Sequence, residues 1–143
     1  WGSLDYLIID LPPGTGDAQL TLAQSSKLSG SIIISTPQDV ALIDARKGIN
    51  MFKKVNVEIL GIVENMSYFI CDKCSEKHYI FSKNGAKEEA AKFQIPFLGK
   101  IPIDKKLRIQ SDSGNPCCID DPESEMSKLF ISIAKNIDQS VNY

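Results

Sequence analysis

The run DYLIIDLPPGTGD, residues 5–17, constrains this chain more than any other stretch of it. Leu7, Ile8 and Ile9 form a short apolar run suited to a strand covered on both faces. Asp10 ends that run. Pro12 and Pro13 remove backbone donors, and the glycines that follow admit conformations other residues avoid, so neither strand nor helix continues. Gly14, Thr15 and Gly16 are thereby able to bring backbone N–H groups close to a bound anion. Asp17 is placed to cap a helix opening at Ala18. A carboxylate at the carboxyl end of a strand, beside a tight turn and a helix start, is where a nucleotide's magnesium and terminal phosphate can be held. The plainer alternative is an aspartate that only accepts turn N–H groups, with glycines that serve the turn alone.

Strand signals recur over residues 5–10, 31–35, 58–64 and 97–101, and helical periodicity over 18–27, 40–52, 86–93 and 124–137. This alternation, with β-branched strands, predicts an α/β fold with a parallel sheet and flanking helices, whose ligands sit at the carboxyl ends of the strands. Met51 and Phe52 read as helix core, as do Leu129, Ile133 and Ile137. Asp39 is well placed to cap the second helix, whose Asp44, Arg46 and Lys47 read mostly as a solvated face. The Ser-, Asp-, Gly- and Pro-rich segment 110–121 reads as an ordered loop. A long connection over about 66–82 interrupts the alternation, and connections of that length are usually functional or mobile.

That connection holds Cys71 and Cys74. A C-x-x-C turn brings two thiolates to one metal, and soft thiolates select zinc or iron–sulfur over magnesium or calcium. One pair is incomplete for a four-iron four-sulfur (4Fe–4S) cluster, which wants four cysteines. A two-fold axis beside the loop would supply the other two from a second subunit. A rival in-chain site adds His78, as C-x-x-C-x-x-x-H, with an outside fourth ligand for zinc. A redox pair is a third reading, but the cysteines do not open a helix after a thioredoxin-type strand. Tyr68, Phe69, Tyr79 and Phe81 flank the pair and read as packing for the loop, because no basic residues line up with them along a groove. Cys117 and Cys118 are adjacent, a poor bite for one tetrahedral metal, and read as packing residues.

A formal net charge of −2 with no basic block gives no footprint for nucleic acid. No apolar run approaches membrane-spanning length, so no membrane partner is expected. Four cysteines in one C-x-x-C and one adjacent pair do not resemble a secreted disulfide framework, which points to a reducing, cytoplasmic setting.

LDYLIIDLPPGTGD, STPQDVALIDARKG, GIVENMSYFICDKC, LGKIPIDKKLR and SDSGNP, in this order from Leu4 to about Pro116, resemble the carboxyl-terminal half of the Mrp/ApbC iron–sulfur carrier ATPases. These belong to the deviant Walker A group of P-loop NTPases that includes MinD and ParA. The resemblance makes residues 1–143 the carboxyl-terminal part of a single P-loop NTPase-like domain, and the run at 5–17 a Walker B strand with its switch loop. It implies ATP with magnesium as cofactor, with Asp10 on the metal, Gly14 and Thr15 at the terminal phosphate and Asp17 near the attacking water. Asn65 would read the adenine edge, its rival role being an Asn turn. Pro102, Ile103 and Asp104 would wall the base. The resemblance further implies a homodimer, with the second helix a candidate subunit contact, and a 4Fe–4S cluster bridging two subunits through Cys71 and Cys74. The cluster would be delivered to apo iron–sulfur client proteins. The sequence has no G-K-G-G-V-G-K-[ST] loop, so this chain alone is not expected to hydrolyse ATP. Two alternatives stay open: a MinD/ParA-like positioning or interaction ATPase without a cluster, and a zinc-stabilised structural module.

Overall fold

The structure, a computed structural model, describes residues 2–141. Its elements run α1 (Asp17–Ser25), β1 (Ser31–Ser35), α2 (Asp39–Lys54), β2 (Ile59–Glu64), β3 (Phe69–Ile70), β4 (Lys77–His78), α3 (Gly85–Phe93), β5 (Phe97–Lys100), α4 (Lys105–Asp112), α5 (Cys117–Asp120) and α6 (Glu125–Ser140). β1, β2 and β5 form a parallel sheet in the order β1-β2-β5, and β3 with β4 makes a separate antiparallel hairpin.

Central placement explains why ILGIVE is apolar almost throughout: every residue of β2 is buried. Its alternate side chains serve opposite faces. Ile62 joins Ile33, Leu42, Ile49, Phe52, Ala86 and Ala90 beneath α2 and α3, whereas Val63 joins Leu98, Ile101 and Ile133 beneath α6. In α2 the inward residues Leu42, Ala45, Ile49 and Phe52 recur at helical spacing. Gly85 lets α3 start hard against the turn after β1, since a Cβ there would lie 2.6 Å from the Pro37 carbonyl oxygen. Arg46 of α2 then clamps α3 through paired hydrogen bonds to Glu89, Nε to Oε2 at 2.8 Å and Nη2 to Oε1 at 2.9 Å.

Four sequence expectations are corrected. Residues 5–10 form no strand: Leu7, Ile8 and Ile9 are 56, 85 and 45% exposed, and the run joins neither edge of the sheet. An apolar run becomes a strand only where a neighbour supplies its ladder of hydrogen bonds, and among the described residues none does. Asp17 and Asp39 are the first residues of α1 and α2 rather than their caps; Gly16 and Gln38 hold the cap positions, without a side-chain cap bond. Segment 110–121 is not a plain loop, because it contains the end of α4 and all of α5. The long connection is also partly ordered, by the β3–β4 hairpin.

Candidate cysteine and nucleotide site

The hairpin that carries the cysteines is built by local hydrogen bonding. β3 and β4 pair Phe69 with His78 and Ile70 with Lys77. Cys71 N donates to the Glu76 carbonyl at 2.9 Å, and Ser75 N donates to the Cys71 carbonyl at 2.8 Å. Ser75 takes a left-handed backbone, φ 60°, which turns the chain back toward β4. The thiols of Cys71 and Cys74 and a ring nitrogen of His78 consequently lie within 4.8 Å of one another. The Cys71 thiol is held below its ordinary pKa, first by the backbone N–H of Cys74, then by that of Lys73 and by the Cys74 side chain. A thiolate is the metal-binding form of cysteine. Aromatic residues brace the loop. The Tyr68 and Tyr79 rings stand 6.3 Å apart at 60°, and the ammonium groups of Lys77 and Lys83 sit over them at 4.8 and 5.0 Å.

A second strip of chain is stitched to this hairpin. Ser67 N donates to the Ile101 carbonyl at 3.0 Å, Ile103 N donates to the Tyr68 carbonyl at 2.7 Å, and Phe69 bridges Ile103 in parallel. A groove of about 520 Å³ opens between the two strips, with Phe69, Cys71, Pro102, Ile103, Asp104 and Lys105 on its walls. The residues expected to wall a base and one of the expected cluster ligands therefore share one groove. Asp10, Gly14, Thr15, Asp17 and Asn65 do not line it.

Several of these residues have structural tasks of their own. Asp104 caps α4, its carboxylate accepting from Leu107 N at 2.6 Å. Asn65 makes a local turn, Oδ1 accepting from Met66 N at 2.9 Å, which leaves its NH₂ group to donate elsewhere. Asp10 and Asp17 are exposed, and Gly14 adopts φ 99° in the turn between them. Cys117 is buried, and burial followed by the neighbouring Cys117 thiol pushes the Cys118 thiol up, which keeps it protonated and unreactive.

Two features escaped sequence reading. The start of α4, with Lys105, Lys106 and Ile109, belongs to the groove; Asp104 three residues before Leu107 was the available signal, a cap at a helix entry. Glu64 is fully buried at the carboxyl end of β2, where its Oε2 accepts from Ala86 N at 3.0 Å and its Oε1 lies 3.4 Å from Lys100 Nζ. A carboxylate closing an apolar strand was its only mark in the sequence. No helix among the described residues is long and apolar enough to cross a membrane.

The profile of the ParA group described as NUBPL iron-transfer P-loop NTPase matches residues 1–138. The chain is 50% identical over 141 residues to an iron-sulfur cluster carrier protein of Aquifex aeolicus, covering 99% of this chain and 39% of that protein. It is 55% identical over 137 residues to an iron-sulfur cluster transfer protein, NUBPL, of Dictyostelium discoideum, covering 96% of this chain and 42% of that protein. The chain thus spans about two-fifths of the length of these curated relatives. A nucleotide-binding protein of Archaeoglobus fulgidus, solved in complex with ADP and with cobalt found in it, superposes with a TM-score of 0.74 at 46% identity, over 88% of this chain and 51% of that one. The cell division ATPase MinD of Pyrococcus furiosus shares the fold, with a TM-score of 0.59 at 24% identity over 78% of this chain and 43% of that one.

Proposed function

This chain belongs to the NUBPL iron-transfer P-loop NTPase family, and we propose that it is the cluster-bearing part of an ATP-dependent carrier that hands a 4Fe–4S cluster to apo client proteins. The observation that carries the reading is the shared groove, lined by Cys71 and by the Pro102–Lys105 strip, which is hydrogen-bonded to the chain at Tyr68 three residues before that cysteine. Residues 1–143 act in this reading as the carboxyl-terminal part of one P-loop NTPase-like domain, with residues 66–82 as an inserted carrier loop. The cluster is cargo. Each chain offers only Cys71 and Cys74, so a four-thiolate cluster requires two chains and lies on the axis between them, accessible to a client.

Nucleotide phosphate is assigned by the same reading to the turn before α1, with Asp10 ordering magnesium and the N–H groups of Gly14 and Thr15 meeting the terminal phosphate. Asp17 would orient the attacking water. Asn65 would donate to the base with its remaining NH₂, and Pro102 and Ile103 would cover its face. Asp104, already committed to capping α4, would shape the pocket through that helix. The phosphate-gripping lysine would come from polypeptide beyond these residues, as the length of the relatives allows. The cysteine loop disfavours a MinD-like positioning role, for which two adjacent thiols have no use. Two free thiols awaiting a cluster call for a reducing compartment, which we take to be the cytoplasm.

Anaerobic reconstitution with iron and sulfide tests the carrier reading. One 4Fe–4S cluster per two chains is expected, and Cys71→Ala or Cys74→Ala should each abolish it, because symmetry removes two ligands at once. One cluster per single chain, or a cluster that survives Cys71→Ala, would overturn the reading.

A further inference from the structure

His78 has no part in a cluster held by four thiolates, yet the hairpin places it with them. β3 ends at Ile70 and β4 starts at Lys77, so the register that pairs Phe69 with His78 sets the imidazole one residue past the base of the turn holding both cysteines. All three ligand atoms fall within 4.8 Å of one another. Around one tetrahedral ion, with bonds of about 2.3 Å to sulfur and about 2.0 Å to nitrogen, such atoms stand about 3.5 to 3.8 Å apart. The loop need close by only about 1 Å to reach that geometry, an adjustment within the reach of side-chain torsions. Cys74 and His78 are exposed, so that motion runs into solvent rather than into the core.

We propose that Cys71, Cys74 and His78 of a single chain form a three-ligand site for one borderline-soft divalent ion, zinc above all, with the fourth position open to water or to a ligand from outside. Charge and protons balance without any redox step. The ion displaces the two thiol protons to solvent, the imidazole donates a lone pair, and two thiolates neutralise the dication. A two-sulfur, one-nitrogen site suits zinc and excludes magnesium and calcium, whose ligands are oxygen. The site differs from the cluster reading in what it needs: one chain rather than two, and His78 as well as the thiols. It does not rest on that reading, and the two occupants compete for the same cysteines, so the single-chain ion is the state from which a bridging cluster would have to displace metal.

The test uses the whole 143-residue chain, stripped of metal under reductant. Cobalt is titrated first as a spectroscopic probe, zinc then displaces it, and elemental analysis with light scattering gives metal per chain and mass together. The expected result is one ion per chain whatever mass light scattering reads, with the intense absorption of tetrahedral cobalt bound to thiolate. His78→Ala and His78→Gln should each weaken zinc binding by about 100-fold or more, beyond the 10–100-fold typical of losing an outer-shell partner. Far-UV circular dichroism of the metal-free variants should match the parent, since His78 is exposed, and Cys118→Ser should leave the affinity alone. One ion per two chains, unchanged affinity and spectrum in both His78 variants, or no binding at all would overturn the proposal. Iron and sulfide reconstitution of His78→Ala separates the two readings: the bridging cluster should still form there at one per two chains, whatever becomes of zinc.

Discussion

Glu89→Gln should cost stability at neutral pH and cost progressively less in acid. Glu89 lies on α3 with its side chain 2% exposed, and Arg46, then Lys92, draw its carboxyl from 4.5 to about 2. A native pKa below the unfolded one means the stabilisation is complete above about pH 5 and fades as pH falls through about 2, where the native carboxyl also takes a proton. A difference of about 2.5 pH units, at about 1.4 kcal/mol each, sets a ceiling of about 3.5 kcal/mol. The side chains of Arg46 and Lys92 are 41 and 62% exposed, so solvent screens both partners and the expected loss is nearer 2 kcal/mol. Gln keeps the shape of Glu and one acceptor, but turns an NH₂ group toward cations and so replaces an attraction with a mismatch. Urea unfolding of parent and variant at matched pH values from 7 to 2.5 measures the difference, in which the other carboxylates cancel. A gap that stays flat across this range, or one below about 0.5 kcal/mol at pH 7, would refute the account of how α2 and α3 are held together.

The isolated chain should bind magnesium-ATP weakly or not at all, since no glycine-rich lysine loop is present to offset phosphate charge; tight stoichiometric binding by calorimetry would show the phosphate site to be misplaced. Ile8, at 85% exposure, heads an apolar run that should drive self-association, so Ile8→Lys should lower the mass seen by light scattering at high concentration while leaving unfolding free energy within about 0.5 kcal/mol, and a parent chain monomeric at that concentration would remove the premise.

What the sequence made legible was whatever depends on near neighbours. The periodicity of α2 and α6 and the apolar runs of β1, β2 and β5 announce elements whose burial is repeated along the chain, and the α/β fold with its parallel sheet follows from their alternation. Residues 5–10 carry the same strand signal as 31–35 and still form no strand, because pairing is decided by a neighbour and not by the run itself. The caps of α1 and α2 slipped by one residue, the usual scale of uncertainty at helix ends, and α4 was hidden in a stretch whose turn formers outnumber its apolar residues. Of the site, the C-x-x-C was plain from spacing alone. The groove was not, because it depends on Tyr68 and Phe69 meeting Ile103, a contact between segments more than thirty residues apart that leaves no local pattern.

That contact is also what joins the two halves of the proposed chemistry. From the end of β2 to the start of β3 the chain is tied at successive points to the strip that follows β5: Ile101 N donates to the Glu64 carbonyl at 2.9 Å, Ser67 N to the Ile101 carbonyl at 3.0 Å and Ile103 N to the Tyr68 carbonyl at 2.7 Å. Glu64 and Ser67 are buried at the sheet end, whereas 72–82 are exposed, so the rigid part of the stitching ends where the cysteine turn begins. Local stability follows packing, and the exposed hairpin is therefore the element with least to lose on moving. In our reading a base settling against Pro102 and Ile103 presses on a strip that cannot shift without carrying Tyr68 and Phe69 along, and Cys71 lies two residues beyond. Coupling of this kind needs no long relay through the core; one stitched pair of strips and a lightly packed hairpin at its end are sufficient.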